Sequence, residues 1–349
     1  MKLTSTFLAI YLISSAPSNA QNEQVLKFKG ENNFASVKQL TFGGENAEAY
    51  FSSDNTKIIF QSTRDSFKCD QIFTMNVDGS NVQLVSAGKG RTTCAYFLSN
   101  DTKILFSSTH LHNELCPPPP DYSKGYVWNI NPDYDVLTAN ADGSDLKILS
   151  ASDGYDAEAT VSPKGDKIVF TSTRDGDLEL YSMNIDGTNI KRLTNEIGYD
   201  GGAFFSPDGK KICYRSFHPR KDEEIESYQT LLKQNLVRPT TMEICIMNAD
   251  GTGKKQLTFN GKANFAPFFH PDGNRIIFAS NMHDTSKQRR NFDLFLLEIE
   301  SGKIEQVTYN ETFDSFPMFT SDGKKLIFAS NRNAKVRGET NIFIADWKE

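Results

Sequence analysis

No apolar run in this sequence is long enough to cross a bilayer. The longest, Phe7 to Ile13, falls far short of the roughly 20 residues that a spanning helix needs, so no membrane span is expected. No run of basic residues exceeds a pair, and 38 Lys and Arg stand against 44 Asp and Glu for a net charge of −6, which argues against nucleic acid as a partner. The five Cys include no Cys-x-x-Cys pair, so zinc-ribbon and thioredoxin-type chemistry have no support. A G-x-S-x-G elbow and an H-E-x-x-H helix are also missing, which removes the common signatures of a serine hydrolase and a zinc peptidase.

What is present begins with a leader. One Lys at position 2, the apolar stretch to Ile13 and Ser18-Asn19-Ala20 ahead of Gln21 read as a secretory signal peptide over residues 1–20. The mature chain is therefore expected to be periplasmic or secreted, where disulfides are permitted. An odd Cys count leaves at least one thiol unpaired. Cys69, Cys94 and Cys116 fall on one face of the reading below, so the expectation is a single bridge joining Cys94 to Cys69 or to Cys116. Cys213 and Cys245 sit inside strand cores and are expected as buried thiols.

The stretch Gly154 to Thr194 contains four short apolar runs separated by a Ser-Pro-x-Gly turn, an Arg-Asp-Gly-Asp loop and an Asp-Gly turn. Gly and Asp stand where a tight turn needs positive φ or a side chain that bonds its own backbone. The unit recurs. FSSDNTK at 51, FLSNDTK at 97, VSPKGDK at 161, FSPDGKK at 205, FHPDGNR at 269 and FTSDGKK at 319 mark six copies, spaced 46, 64, 44, 64 and 50 residues apart. Self-similarity at this period is the signature of propeller blades, each a four-stranded sheet. The sixth copy ends at Ile344-Ala345-Asp346-Trp347 without a fourth strand, and a matching one, SVKQLTF, stands at Ser36 to Phe42. The fold expected is all-β, a six-bladed propeller closed by its N-terminal strand, with residues 21–35 as a linker and 36–349 as the propeller.

GGAFFSPDGKKICY at 201–214 and TSTRDGDLELYSMNIDGT at 171–188 carry a resemblance to the TolB-type, WD-related propeller repeat, extending over about residues 35–349. TolB has an α/β domain ahead of its blades, where this chain has only Gln21 to Ala35, so the resemblance implies the propeller and not the envelope role. Propellers of similar blade type also include oligogalacturonate lyases with a His-rich metal site, which keeps an enzyme in view.

Two copies carry about 20 extra residues between their second and third strands. The insertion at 110–134 holds Cys116, Pro117 to Pro120, Tyr126 and Trp128. That at 218–240 places Ile225, Tyr228, Leu231, Leu232 and Leu236 near helical spacing, so an amphipathic helix is expected over Asp222 to Asn235. Loops between second and third strands share a face with those entering the first strands, and four of five His fall on that face. Residues there that depart from the repeat are the candidate ligand-binding set: Arg91, His110, His112, Asp156, Glu158, Asp200 and His218. The recurring pairs at Arg64, Arg174 and Arg332 are read as structural. Glu48, Arg91, Asp156, Glu158, Asp200 and Asp314 are expected to ring the channel mouth, where a divalent cation is one possible occupant. The functional expectation is a monomeric binding or scaffold module recognising a protein, peptide or glycan. Its alternative is a polysaccharide lyase or hydrolase with a metal- or His-dependent site on the same face.

Overall fold

The computed structural model describes residues 26–288 and 290–349, so the leader expected over residues 1–20 lies outside the described residues. Six four-stranded antiparallel sheets follow one another around a channel. From the innermost strand outward, blade 1 is Glu45–Phe51, Lys57–Thr63, Gln71–Asn76 and Gln83–Leu84. Blade 2 is Thr92–Phe97, Lys103–Ser108, Asp135–Asn140 and Lys147–Ser150. Blade 3 is Asp156–Val161, Lys167–Ser172, Glu179–Asn184 and Lys191–Arg192. Blade 4 is Tyr199–Phe205, Lys211–Phe217, Glu243–Asn248 and Lys255–Gln256. Blade 5 is Asn264–Phe269, Arg275–Ser280, Asp293–Glu298 and Ile304–Gln306. Blade 6 is Asp314–Phe319, Lys325–Ser330 and Asn341–Trp347, completed by Phe34–Gln39.

The second strands explain why these segments form sheets that stack. Each opens with Lys or Arg and then runs through three buried apolar residues, among them Ile58-Ile59-Phe60, Ile168-Val169-Phe170 and Leu326-Ile327-Phe328. A neighbouring blade covers each face, so β-branched and aromatic residues occupy consecutive positions instead of alternate ones. The turns at the far end are equally regular. In the Asp-Gly turn of blade 2, Gly143 takes φ 86°, and a Cβ there would stand 2.4 Å from the Val85 carbonyl oxygen of blade 1. Glycine is thus required by both the turn and the close approach of the two blades.

The N-terminal strand closes the ring as expected, with Ser36, Val37, Lys38 and Gln39 opposite Asp346, Ala345, Ile344 and Phe343. It starts two residues earlier than Ser36, because Phe34 is buried and stacks on Phe328 at 5.8 Å. Phe42, the last residue of the expected strand, is 70% exposed beyond the ladder. Residues ahead of the strand are also tied down: Glu31 is buried 2.9 Å from Arg332, which in turn reaches Asp314 at 2.7 Å.

Both insertions are ordered, and they join. The helix expected over Asp222 to Asn235 runs from Asp222 to Leu232, with Tyr228 and Leu231 buried. Leu236–Val237 then pairs antiparallel with Trp128–Asn129 of the other insertion. Val127, Leu231 and Leu236 form a small apolar core beneath this ribbon. One disulfide is present, as expected, but it joins Cys69 to Cys116 and leaves Cys94 free. The reason is backbone geometry: Cys94 lies on a bulge with φ 52° that faces the channel, away from the loops holding the other two. Cys213 and Cys245 are buried thiols.

Candidate functional site

Each innermost strand begins, on the insertion-bearing side, with a polar residue set opposite a serine of the second strand. The six pairs are Asn46 with Ser62, Thr92 with Ser108, Asp156 with Ser172, Asp200 with Ser216, Asn264 with Ser280 and Asp314 with Ser330. All six first-strand members are buried. Two residues beyond each serine stands Arg64, His110, Arg174, His218, Met282 or Arg332. Asp156 meets Arg174 at 3.0 Å, Asp314 meets Arg332 at 2.7 Å and Asp200 meets His218 at 3.2 Å, while Ser108 Oγ lies 2.7 Å from His110 Nδ1. Buried polar groups persist only with such partners, so this outer ring ties each blade together at its upper end. The guanidinium of Arg174 also lies over the Phe170 and Tyr181 rings, and that of Arg332 over Phe328 and Phe343.

Two residues further along the same strands the pattern changes. The pairing register breaks in every innermost strand, and Glu48, Cys94, Glu158, Gly202, Ala266 and Phe316 take positive φ between 46° and 60°. A bulge turns one extra residue toward the axis, so these six line the channel as an inner ring. Gly202 makes room for Arg215: a Cβ there would stand 2.3 Å from an Arg215 terminal nitrogen. That guanidinium is ion-paired with Glu158, donates to the Tyr199 hydroxyl at 2.7 Å and lies 5.2 and 5.4 Å from the ring centroids of Trp128 and Tyr199. Burial opposes its charge, and Glu158 together with Tyr199 and Tyr155 more than offsets that, holding Arg215 protonated.

Glu48 faces this pair without a cation of its own. Enclosure in the channel raises its carboxyl to about 7; the Glu158 charge adds to this, while a hydrogen bond from the Cys94 thiol and the Arg215 charge favour the charged form and oppose it. Cys94 is pushed up by the same enclosure and by Glu48, so it is a protonated thiol rather than a nucleophile. Below the inner ring the channel is blocked. Tyr50 of blade 1 and Phe204 of blade 4 meet across it at 5.5 Å, with Tyr96 5.4 Å from Tyr50 and Phe268 5.3 Å from Phe204. Beyond this plug, the opposite mouth is a separate apolar cavity of about 370 Å³ bordered by Pro163, Pro207 and Pro271.

Above the inner ring the channel widens into a chamber of about 890 Å³. Tyr126, Trp128, Tyr134, Tyr155, Phe265, Phe292 and Phe313 line it, with Arg91 and Asp70 on one side and Lys287 and Arg290 of blade 5 on the other. The insertions make its wall. The Cys69–Cys116 bridge fixes the proline end to blade 1, the ribbon joins it to the helix segment, and the Tyr228 hydroxyl lies 2.5 Å from both Asp177 Oδ1 and the Gly198 carbonyl oxygen. Trp128 packs on Phe265 at 5.0 Å, which ties the wall across the axis to blade 5.

The candidate residues divide accordingly. Arg91 and Glu158 line the chamber. Asp156 and Asp200 were expected at the channel mouth with Asp314, but all three are buried in the outer ring, because the bulge rather than the strand start points to the axis. His110 and His218 belong to that same ring of ties, and His112 pairs with Asp135 at 2.9 Å on blade 2. Burial alone would lower the His218 pKa, and its Asp200 hydrogen bond together with the charges of Asp200 and Glu196 reverses this, leaving it above the ordinary value. The seven residues read as repeat departures therefore include two, His110 and His218, that fill the Arg position of the repeat. Among the described residues, no group of three or more His, Cys, Asp or Glu converges as a metal-binding set. Sequence reasoning missed Cys94, Asp70, Lys287, Arg290 and most of the aromatic lining. The available signal was alignment of the residue two positions after Asn46, Thr92, Asp156, Asp200, Asn264 and Asp314, where five different residue types replace a repeated one.

Residues 131–243 match the family described as the TolB beta propeller domain. A structure from Agrobacterium tumefaciens assigned as TolB superposes with TM-score 0.58 at 15% identity, covering 90% of this chain and 97% of that one. TolB from Acinetobacter baumannii gives TM-score 0.57 at 17% identity over 88% of this chain and 65% of that longer one. An oligogalacturonate lyase from Vibrio parahaemolyticus gives 0.53 at 13% identity over 90% and 94%. Identities this low show the fold alone. No curated protein matched the sequence. With six blades and closure by the N-terminal strand, this chain is a six-bladed β-propeller, similar to the TolB beta propeller domain over residues 131–243, from the third strand of blade 2 to the third strand of blade 4.

Proposed function

We propose that this chain is an exported binding module that takes a peptide or glycan segment, free or presented by a partner protein, into the chamber on its insertion-bearing face. The observation carrying this reading is the chamber itself: a blind-ended space of about 890 Å³ with aromatic walls and seven charged side chains, four of which are matched as the pairs Arg91–Asp70 and Arg215–Glu158. Broad apolar contact with sparse polar anchors is the usual composition of a recognition site. The blocked channel supports capture of a segment that enters and leaves by one mouth. The Cys69–Cys116 bridge supports an oxidising compartment, and no helix among the described residues is long and apolar enough to cross a membrane.

A lyase or hydrolase on the same face is the second reading, favoured by the fold shared with oligogalacturonate lyase. The dispersal of His110, His112 and His218 into separate ties favours binding over a His-dependent reaction. The deciding experiment screens the mature protein on peptide and glycan arrays and assays each captured ligand for turnover. Capture without product supports the binding module. Product formation that disappears on Glu48→Gln or Glu158→Gln would favour the enzyme.

A further inference from the structure

The floor of the chamber narrows to a niche of about 30 Å³ between Glu48, Cys94, Glu158, Arg215 and the rings of Tyr50 and Phe316. That is the space of a single water-sized group, too small for a sugar ring or an aromatic side chain. The charges around it are unevenly matched. Arg215 is answered by Glu158, and Arg91 by Asp70 at 3.5 Å, whereas among the described residues no ion pair reaches Glu48. Glu48 receives a hydrogen bond only from a neutral thiol donor, and its neighbours in the niche are Tyr50, Phe204 and Phe316, whose ring faces carry partial negative charge.

A small cation fits all three features, and one on an extended chain fits the chamber above. Resting on the chamber as the recognition site, we propose that the niche binds a primary ammonium group, with Glu48 as its carboxylate, delivered by a flexible aliphatic chain that passes the Arg215–Trp128 stack. A lysine side chain and a free alkylamine share this chemistry. Lys287 and Arg290 of blade 5, both exposed, also line the chamber, and they suit an anionic flank on the same ligand. The segment selected is then one in which a lysine is accompanied by acidic residues.

The carboxyl and the ammonium are linked through protons. Glu48 faces Cys94 of blade 2, Glu158 of blade 3 and Arg215 of blade 4, with Asp70 farther along its own blade. Its raised pKa leaves a large fraction protonated near neutral pH, so ammonium binding expels that proton and the apparent affinity rises with pH until Glu48 is fully ionised.

The test titrates the full mature protein with n-butylammonium, with its neutral isostere 1-butanol, and with Nα-acetyl-lysine methylamide, following binding by NMR and proton release by calorimetry in buffers of different ionisation enthalpy. The expected result is ammonium binding that Glu48→Gln weakens by roughly tenfold or more, the measure of a lost charged hydrogen bond. It should tighten from about pH 6 to about pH 8 with proton release that the variant lacks. The lysine derivative and butylammonium compete if side chain and free amine share the niche; preference for one names the source. Equal binding of 1-butanol, no binding of either amine, or an unchanged dissociation constant in Glu48→Gln overturns the proposal. Array ligands whose capture survives Glu48→Gln remove this proposal while leaving the chamber as recognition site intact.

Discussion

Two rings of residues lie two positions apart on the same six strands, and they differ in almost every respect. The outer ring of Asn46, Thr92, Asp156, Asp200, Asn264 and Asp314 is polar throughout, buried throughout and faces a serine in every blade. The inner ring of Glu48, Cys94, Glu158, Gly202, Ala266 and Phe316 holds two carboxylates, a thiol, an aromatic and two small residues, and it lines the channel. Where the same physical problem recurs six times, tying off the top of a sheet, the same solution recurs. Where the side chains converge on one shared space, symmetry has no use and the residues diverge. In a repeat fold the divergent ring is the place to look for function, and charge alone is a poor guide, because most of the charge in the outer ring is already neutralised.

The comparison can be broken most severely by opening the ring. Removing residues 21–42 deletes the strand paired with Asn341–Trp347 and the Glu31 partner of Arg332. The expected outcome is aggregation or a collapse in melting temperature, read by size exclusion and calorimetry. A monomeric, normally melting truncation would show that the closure is dispensable.

Next in size are the outer-ring ties. Arg332→Ala leaves Glu31 and Asp314 buried without a cation, and Asp156→Ala does the converse to Arg174, so each should cost about 3–5 kcal/mol in denaturant unfolding. The Cys69–Cys116 bridge closes a sequence separation of 47 residues, and replacing both with Ser should cost about 4 kcal/mol by loop entropy. Because it also anchors the wall, its loss should loosen the insertion, visible as faster hydrogen exchange over residues 110–134.

A smaller effect sharpens the contrast through pH. Burial raises Glu48, Glu179 and Asp293 each to about 7. A carboxyl raised in the folded state favours folding most when protonated, so its contribution is complete below its unfolded pKa and is lost as pH rises through about 7. Unfolding free energy should therefore decline between about pH 5 and about pH 8, and Glu48→Gln should flatten part of that slope. A wild-type profile that rises across this window would contradict the enclosed inner ring.

The blades were legible because each uses the same turn chemistry, from FSPDGKK at 205 to NADGT at 248, and closure was legible because SVKQLTF supplies the one strand the sixth copy lacks. The chamber was only partly legible. Its wall announced itself through Trp128, Tyr126 and the helix around Tyr228, but the pairing of Trp128–Asn129 with Leu236–Val237 joins segments over 100 residues apart and leaves no local pattern. Its floor was hidden by six bulges. Five occur at non-glycine residues, so positive φ had no composition signal, and each breaks the alternation that would put the strand-start residue and the residue two positions later on the same face. That break is why Asp156 and Asp200 were expected at the mouth and are found in the ties.

The central claim, that the chamber recognises a ligand and the outer ring does not, is tested most directly at its exposed rim. Tyr126, Lys287 and Arg290 are surface side chains at the chamber mouth. Changing all three to Ala should leave unfolding free energy within about 0.5 kcal/mol per site of the parent and abolish capture of the ligands selected on peptide and glycan arrays. Capture that persists at full affinity in a folded triple variant would contradict the account.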